Sequence, residues 1–378
     1  MVGSWPWLFG CMLIAVAAAA PAQQRPQLRA VRVDEPPLLD GYVREDPAWL
    51  GAQVATGFAQ VEPDAGQPAT ERTEVRVVYS ESTLYVGVVC FDSNPQAIVV
   101  GDARRDASLD DTDSFQVILD TFNDKTNGFV FGTNPAGIEY DGQVVNQGEG
   151  GRRGAGGGFN RDWNGSWEVA TRVGEHGWSA EMAIPFKTLR YAGGGEQVWG
   201  INFQRQIGRR NERAYWSPID VQFNLFRVSL AGVLNGVVTP RQRLLQLTPY
   251  VLGEVGQAGF DDAPVEDDFE VGLDVLKYGV TSSLMLDVTV NTDFAQVEAD
   301  EQQVNLSRFN LFFPEKRPFF LENAGLFSVG EPGEIELFFS RQIGLSEEEV
   351  IPIYGGVRLS GKVGRTNLGV LDMQTEEH

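Results

Sequence analysis

Histidine and cysteine are nearly missing from this 378-residue chain: there are two of each. With only His176 and His378, zinc chemistry built on several histidines is excluded, and a Ser-His-Asp triad would have to use His176. Ser166 and Ser179 have no G-x-S-x-G frame around them, which argues against a serine hydrolase. Cys11 lies in the amino-terminal apolar segment, so Cys90 is left alone and no internal disulfide forms; stability must come from buried core area. Positive charge is also scarce, with 30 Lys and Arg against 52 Asp and Glu, a net charge of −22 and a pI near 4.5. No basic stretch is longer than two residues, so nucleic acid is not expected as a partner, because phosphate binding needs the opposite sign.

What is present begins with "MVGSWPWLFGCMLIAVAAAAPAQQ", uncharged, apolar from Trp5 to Ala20, and ending in the A-x-A-like site Ala20-Pro21-Ala22. This reads as a signal peptide over residues 1–22 and predicts export. The alternative is an uncleaved anchor, disfavoured because the apolar run falls short of the roughly 20 residues a spanning helix needs.

From Thr73 the chain reads as short strands separated by Gly, Asn, Asp or Pro. "TEVRVVYS" alternates, "LYVGVVCF" is apolar on both faces as in a strand buried between layers, and "DSFQVILDTF", "NGFVFGTN", "SWEVATRV", "GWSAEMAIP" and "VWGINFQRQI" follow. The pattern predicts an all-β, antiparallel sandwich. The glycine-rich stretch Gly148 to Asn160 interrupts it and reads as a loop. After about Arg241 the texture changes to roughly ten-residue segments in which apolar residues alternate with polar ones or glycine, which is how membrane β-barrel strands read; a second soluble sheet is the alternative. Five or so such segments are too few to close, so any barrel is incomplete. Between them, residues 291–327 cluster Phe309, Phe312, Phe313, Phe319 and Phe320 around Glu315-Lys316-Arg317, and read as an ordered loop or plug.

Three segments carry a resemblance: "LDGYVREDPAW" from Leu39, "DDTDSFQVILDTFNDKTNGFVFGTNPAGIEYDG", and "WEVATRVGEHGWSAEMAIPFKTLRY". In order and spacing they resemble family 9 carbohydrate-binding modules. "NTDFAQVEADEQQVNLSRFNLFFPEKRPFFLENAGLF" resembles the outer-membrane family called domain of unknown function family 5916. The resemblance implies a jelly-roll-like sugar-binding sandwich over 31–240, then the amino-terminal part of an outer-membrane β-barrel over 241–378. In "LDGYVREDPAW", Asp40-Gly41 predicts a turn, Glu45-Asp46-Pro47 a short helical turn, and Trp49 a core anchor.

Sugar sites use flat aromatic faces flanked by polar side chains that satisfy hydroxyls. Trp178 alternates with Ala180, Met182 and Ile184, Trp199 with Ile201 and Phe203, and Trp167 with Val169, so these three belong to a core. Trp163 differs, because Asn160, Arg161, Asp162 and Asn164 surround it; it is the expected sugar platform, with loop packing as the alternative. Tyr215 and Trp216 are candidates for an opposing wall, and Gln204 and Arg205 for hydroxyl contacts. Two carboxylate clusters are candidates for calcium: Asp110, Asp111 and Asp113 in one, Asp120 and Asp124 in the other, the second also reading as a hairpin turn. No cofactor is required.

The function these readings predict is non-catalytic glycan capture or uptake by a binding module on an outer-membrane barrel, with oligosaccharide or polysaccharide as partner and the sandwich periplasmic or surface-exposed. The alternatives are an accessory module of a secreted glycoside hydrolase in carbohydrate catabolism, and a structural cap without a sugar site.

Overall fold

The computed structural model describes residues 25–149, 158–241, 244–257, 265–281, 283–292, 315, 317–323, 326–327, 330–331, 335–346, 349–364 and 366–377. The expected signal peptide lies outside the described residues, as do Phe309, Phe312 and Phe313 of the expected plug.

The amino-terminal part contains strands β1 (Gln27–Arg29), β2 (Val31–Arg32), β3 (Ala59–Glu62), β4 (Thr73–Tyr79), β5 (Thr83–Phe91), β6 (Ser114–Asp120), β7 (Gly128–Thr133), β8 (Tyr140–Val144), β9 (Phe159–Asn160), β10 (Glu168–Gly174), β11 (Gly177–Pro185), β12 (Gly195–Ile207), β13 (Glu212–Tyr215) and β14 (Gly232–Thr239). They form two facing sheets. One has nine strands with the path β1-β14-β12-β6-β7-β8-β9, to which β13 and β3 add through β12; the other runs β10-β11-β5-β4-β2. Pairing is antiparallel except for the two short amino-terminal strands, β1 on β14 and β2 on β4, which are parallel additions at sheet edges.

Period-two alternation fills the space between the sheets. Val86, Val88 and Cys90 of β5 and Trp178, Ala180, Met182 and Ile184 of β11 face Phe115, Val117 and Leu119 of β6 and Trp199, Ile201 and Phe203 of β12 in one buried cluster. The outer faces are covered too, so β6 is buried along its whole length, polar Ser114, Gln116 and Asp120 included, and β5 at all but its two end residues. Over the five-stranded sheet lies the amino-terminal segment carrying Trp49, packed with Val43, Val78, Tyr85 and Val89. Gly87 makes that approach feasible, since a Cβ there would sit 2.9 Å from the Trp49 ring. Over the nine-stranded sheet lies the 215–230 segment, with Tyr215, Ile219, Leu225 and Val228 against Ile118 and Val130.

The carboxy-terminal part is an antiparallel meander of five strands, β15 (Leu245–Gln257), β16 (Val265–Gly279), β17 (Leu284–Val290), β18 (Ile353–Val363) and β19 (Thr366–Thr375), paired in that order. It is an open sheet; no closed barrel forms among the described residues. Its polarity is inverted relative to the sandwich. Asp287, Thr289, Arg358 and Ser360 point to the covered face, whereas Val251, Val271, Val357 and Val370 point outward, Val251 being 66% exposed. The covered face holds a buried ion pair, Arg358 to Asp287 at 2.6 Å, and packs Val275 on Phe319 and Phe320 of the single-turn helix α1 (Pro318–Leu321). Just before α1, Arg317 pairs with Glu315 at 2.8 Å. Among the described residues no helix is long and apolar enough to cross a membrane, which says nothing of crossing by strands.

Candidate functional site

The loop after β9 turns its tryptophan inward. The backbone leaves β9 at Asn160, whose side-chain oxygen accepts the N–H of Asp162 at 3.1 Å and whose Nδ2 donates to the carbonyl of Leu321 at 3.1 Å. Trp163 then drops into the sandwich, 7% exposed, with its ring centroid 5.2 Å from Phe129 and 6.2 Å from Phe131. It is therefore not an open platform: the phenylalanines of β7 offer its ring a dry wall, and the loop's polar residues remain outside. The remaining aromatic candidates are also enclosed. Trp216 is 6% exposed and packs 5.4 Å from Phe203. Tyr215 is buried on the opposite face of the same sheet, and burial pushes its hydroxyl up to about 12.

Gln204 and Arg205 lie in the middle of the nine-stranded sheet, where both faces are covered, and both are buried. Arg205 points into the core, with its guanidinium 3.6 Å from Asp113 and 5.8 Å from the Trp178 ring centroid. Neither side chain is placed to meet a sugar at the surface.

The polar residues around Trp163 do come together. Arg161, Asp162 and Asn164 line an open cavity of about 320 Å³ with Asp106 from the loop before β6. Behind it stands Arg105. Its Nε donates to Asn164 Oδ1 at 3.2 Å, and its two terminal nitrogens pair with Glu139 and with Asp141 of β8. Asp141 is fully buried and also accepts the N–H of Gly165. Burial pushes the Asp141 carboxyl up to about 6, with the Gly165 N–H and Arg105 pulling the other way. Arg105, Glu139 and Asp141 thus brace the loop from behind, and the guanidinium of Arg161, the carboxylates of Asp106 and Asp162 and the amide of Asn164 line the cavity, a set of groups able to donate to and accept from hydroxyl groups. Arg105, Glu139 and Asp141 escape a reading of the sequence, since no alternation marks "RRD" or "GIEYDG" as neighbours.

The calcium candidates do not assemble. Asp110 and Asp111 are exposed, while Asp113 is buried and accepts the Val99 N–H at 2.9 Å. Asp120 caps the following turn by accepting from Asp124 N and Lys125 N, and Asp124 accepts from Thr126 N and Asn127 N and takes the Lys362 ammonium at 2.7 Å. The oxygens of Asp120 and Asp124 are spent on backbone donors, the Asn127 side-chain amide and one lysine, and among the described residues no group of three or more such side chains is arranged to hold a metal.

Residues 39–218 match the family model of the carbohydrate family 9 binding domain-like group, and residues 240–352 match that of domain of unknown function family 5916. No curated protein matches the chain. Among solved structures, one of a proposed carbohydrate-binding protein from Bacteroides uniformis is 12% identical, with a TM-score of 0.45 over 57% of this chain and 100% of its own. A family 9 carbohydrate-binding module from Caldicellulosiruptor kristjanssonii in complex with cellotriose is 16% identical, with a TM-score of 0.37 over 56% of this chain and 93% of its own. The same module in complex with glucose gives the same identity and TM-score. The chain carries a family 9 carbohydrate-binding-like domain at 39–218, followed by a domain of unknown function family 5916 region at 240–352.

Proposed function

We propose that this chain is an exported, non-catalytic glycan-binding protein whose sandwich holds oligosaccharide or polysaccharide and whose carboxy-terminal sheet sits in the outer membrane. The match of residues 39–218 to a carbohydrate-binding family carries the first half. The cavity at Asp106, Arg161, Asp162 and Asn164 supports it, because hydroxyl groups need this mixture of donors and acceptors. The inverted sheet carries the second half: valines outward and a buried Arg358–Asp287 pair inward fit a lipid-facing wall with a polar interior. A net charge of −22 leaves nucleic acid outside the reading.

The structural-cap reading has one observation in its favour: Trp49, Trp163, Trp167, Trp178, Trp199 and Trp216 are all buried, so no described tryptophan offers a free ring face. A glycan array probed with the whole chain in detergent separates the two. Binding to at least one class of oligosaccharide is expected, and silence across the array would leave the cap.

A further inference from the structure

A second cavity, of about 300 Å³, lies between the sandwich and the carboxy-terminal sheet. One wall comes from the sandwich: Phe122 after β6, Asn127 and Phe129 at the start of β7, and Asn146 beyond β8. The other comes from Asn323 after α1 and from Lys362 and Asn367 on the β18–β19 hairpin. The two bodies are held in register around it. Arg190 donates to Glu322 at 2.9 Å, Lys362 to Asp124 at 2.7 Å, and the backbone N–H of Asn323 to Gln143 at 3.2 Å.

The chemistry of this cavity is specific. Its charged side chains are already matched, Asp124 by Lys362 and Arg190 by Glu322, so it offers neither net cation nor net anion to a ligand. Left over are carboxamides. Asn127 spends its Nδ2 on Asp124, and Asn323 spends its Nδ2 on Ser360, which leaves an amide oxygen on each. Asn146 and Asn367 are exposed and enter no side-chain hydrogen bond among the described residues. Phe122 adds an apolar edge beside these amides, with the Lys362 ammonium 5.4 Å from its ring centroid, while the Phe129 ring is turned into the sandwich core against Trp163. Amide donors and acceptors beside one aromatic edge, without unpaired charge, suit a neutral polyhydroxylated ring. The volume is at the small end for ligand pockets and fits one sugar residue better than a chain.

We infer that this junction is a second sugar site, taking one neutral hexose unit between sandwich and sheet, so that occupancy clamps the two bodies together. The inference rests on the glycan-binding reading above and adds a site to it.

Equilibrium dialysis of the full chain in detergent against labelled glucose and labelled cellotriose tests it. The unmodified chain is expected to bind two glucose per chain. Asn367→Trp, which fills the junction from an exposed strand position, and Asn146→Ala should each remove one; Arg161→Ala should remove the other. Unchanged stoichiometry in both junction variants, with loss in Arg161→Ala, would overturn the junction site and leave the sandwich site standing. Loss in the junction variants alone would support the junction and move binding away from the Asp106–Asn164 cavity. No retention of either sugar by the unmodified chain would overturn both.

Discussion

The indole N–H of Trp49 donates to Oε1 of Glu181 at 2.9 Å, across 132 residues of chain. Oε2 of the same carboxylate accepts the N–H of Gly41 at 2.8 Å and of Asp40 at 3.0 Å. One buried glutamate on β11 thus fastens both ends of "LDGYVREDPAW", the turn at Gly41 and the tryptophan after Asp46, whose carboxylate caps the short helical turn through Ala48 N. Trp49→Phe should cost about 1–3 kcal/mol, because a buried carboxylate oxygen loses its donor. The urea midpoint should fall while the slope holds. A midpoint equal to that of the unmodified chain would show that Glu181 does not depend on the indole.

Trp163 should behave as scaffold. With Phe129 and Phe131 against it, Trp163→Ala should cost about 3–5 kcal/mol, the same range as Trp178→Ala. Thermal melts of the two variants should be lowered alike. A Trp163→Ala protein that melts like the unmodified chain would place the ring outside the core.

Stability should depend on Asp141 between about pH 4 and pH 6. Its carboxyl holds its proton more tightly in the folded chain, at about 6 against an ordinary 3.8. Its stabilising contribution is therefore complete below the unfolded value and lost as pH rises through 6, by up to about 3 kcal/mol. Asp120, also pushed up to about 6 by burial, adds a similar decline. Asp141→Asn should gain on the unmodified chain as pH rises from 4 to 7, read from paired denaturation curves. A difference between the two proteins that is constant with pH would contradict this.

The outward valines should control membrane partition. An arginine at Val251 or Val357 places a charge on the apolar face, worth about 2–4 kcal/mol at a bilayer midplane. Flotation with phosphatidylcholine vesicles should carry the unmodified chain upward and leave much of Val251→Arg and Val357→Arg behind. Equal flotation of all three would remove the lipid-facing assignment.

The strands were legible because period-two alternation reports which side of a sheet is dry. That signal located the Trp178 and Trp199 faces, the doubly covered β5, and the change of texture near Arg241. It also held information easily passed over: Arg205 continues the face of Trp199, Ile201 and Phe203, so its burial beside Asp113 follows from the same alternation. Trp163 was not legible, because in a loop the polarity of neighbours at i±1 does not fix where a ring points; that is decided by Phe129 and Phe131, about thirty residues earlier. Asp124 looked like a metal ligand because sequence does not show that its oxygens already serve Thr126, Asn127 and Lys362. Lys362 is 238 residues away, and no periodicity reports such a partner.

The most direct test of glycan binding at the sandwich compares the unmodified chain with Arg161→Ala on whichever oligosaccharide the array selects. Arg161 is exposed at the cavity beside Asp106, Asp162 and Asn164, so its loss should leave the melting curve unchanged. Removing a charged hydrogen-bond donor to a hydroxyl should weaken binding by about tenfold or more. Affinity lowered by that factor at equal stability is the predicted result; equal affinity in the two proteins would contradict the assignment of this cavity as the sugar site.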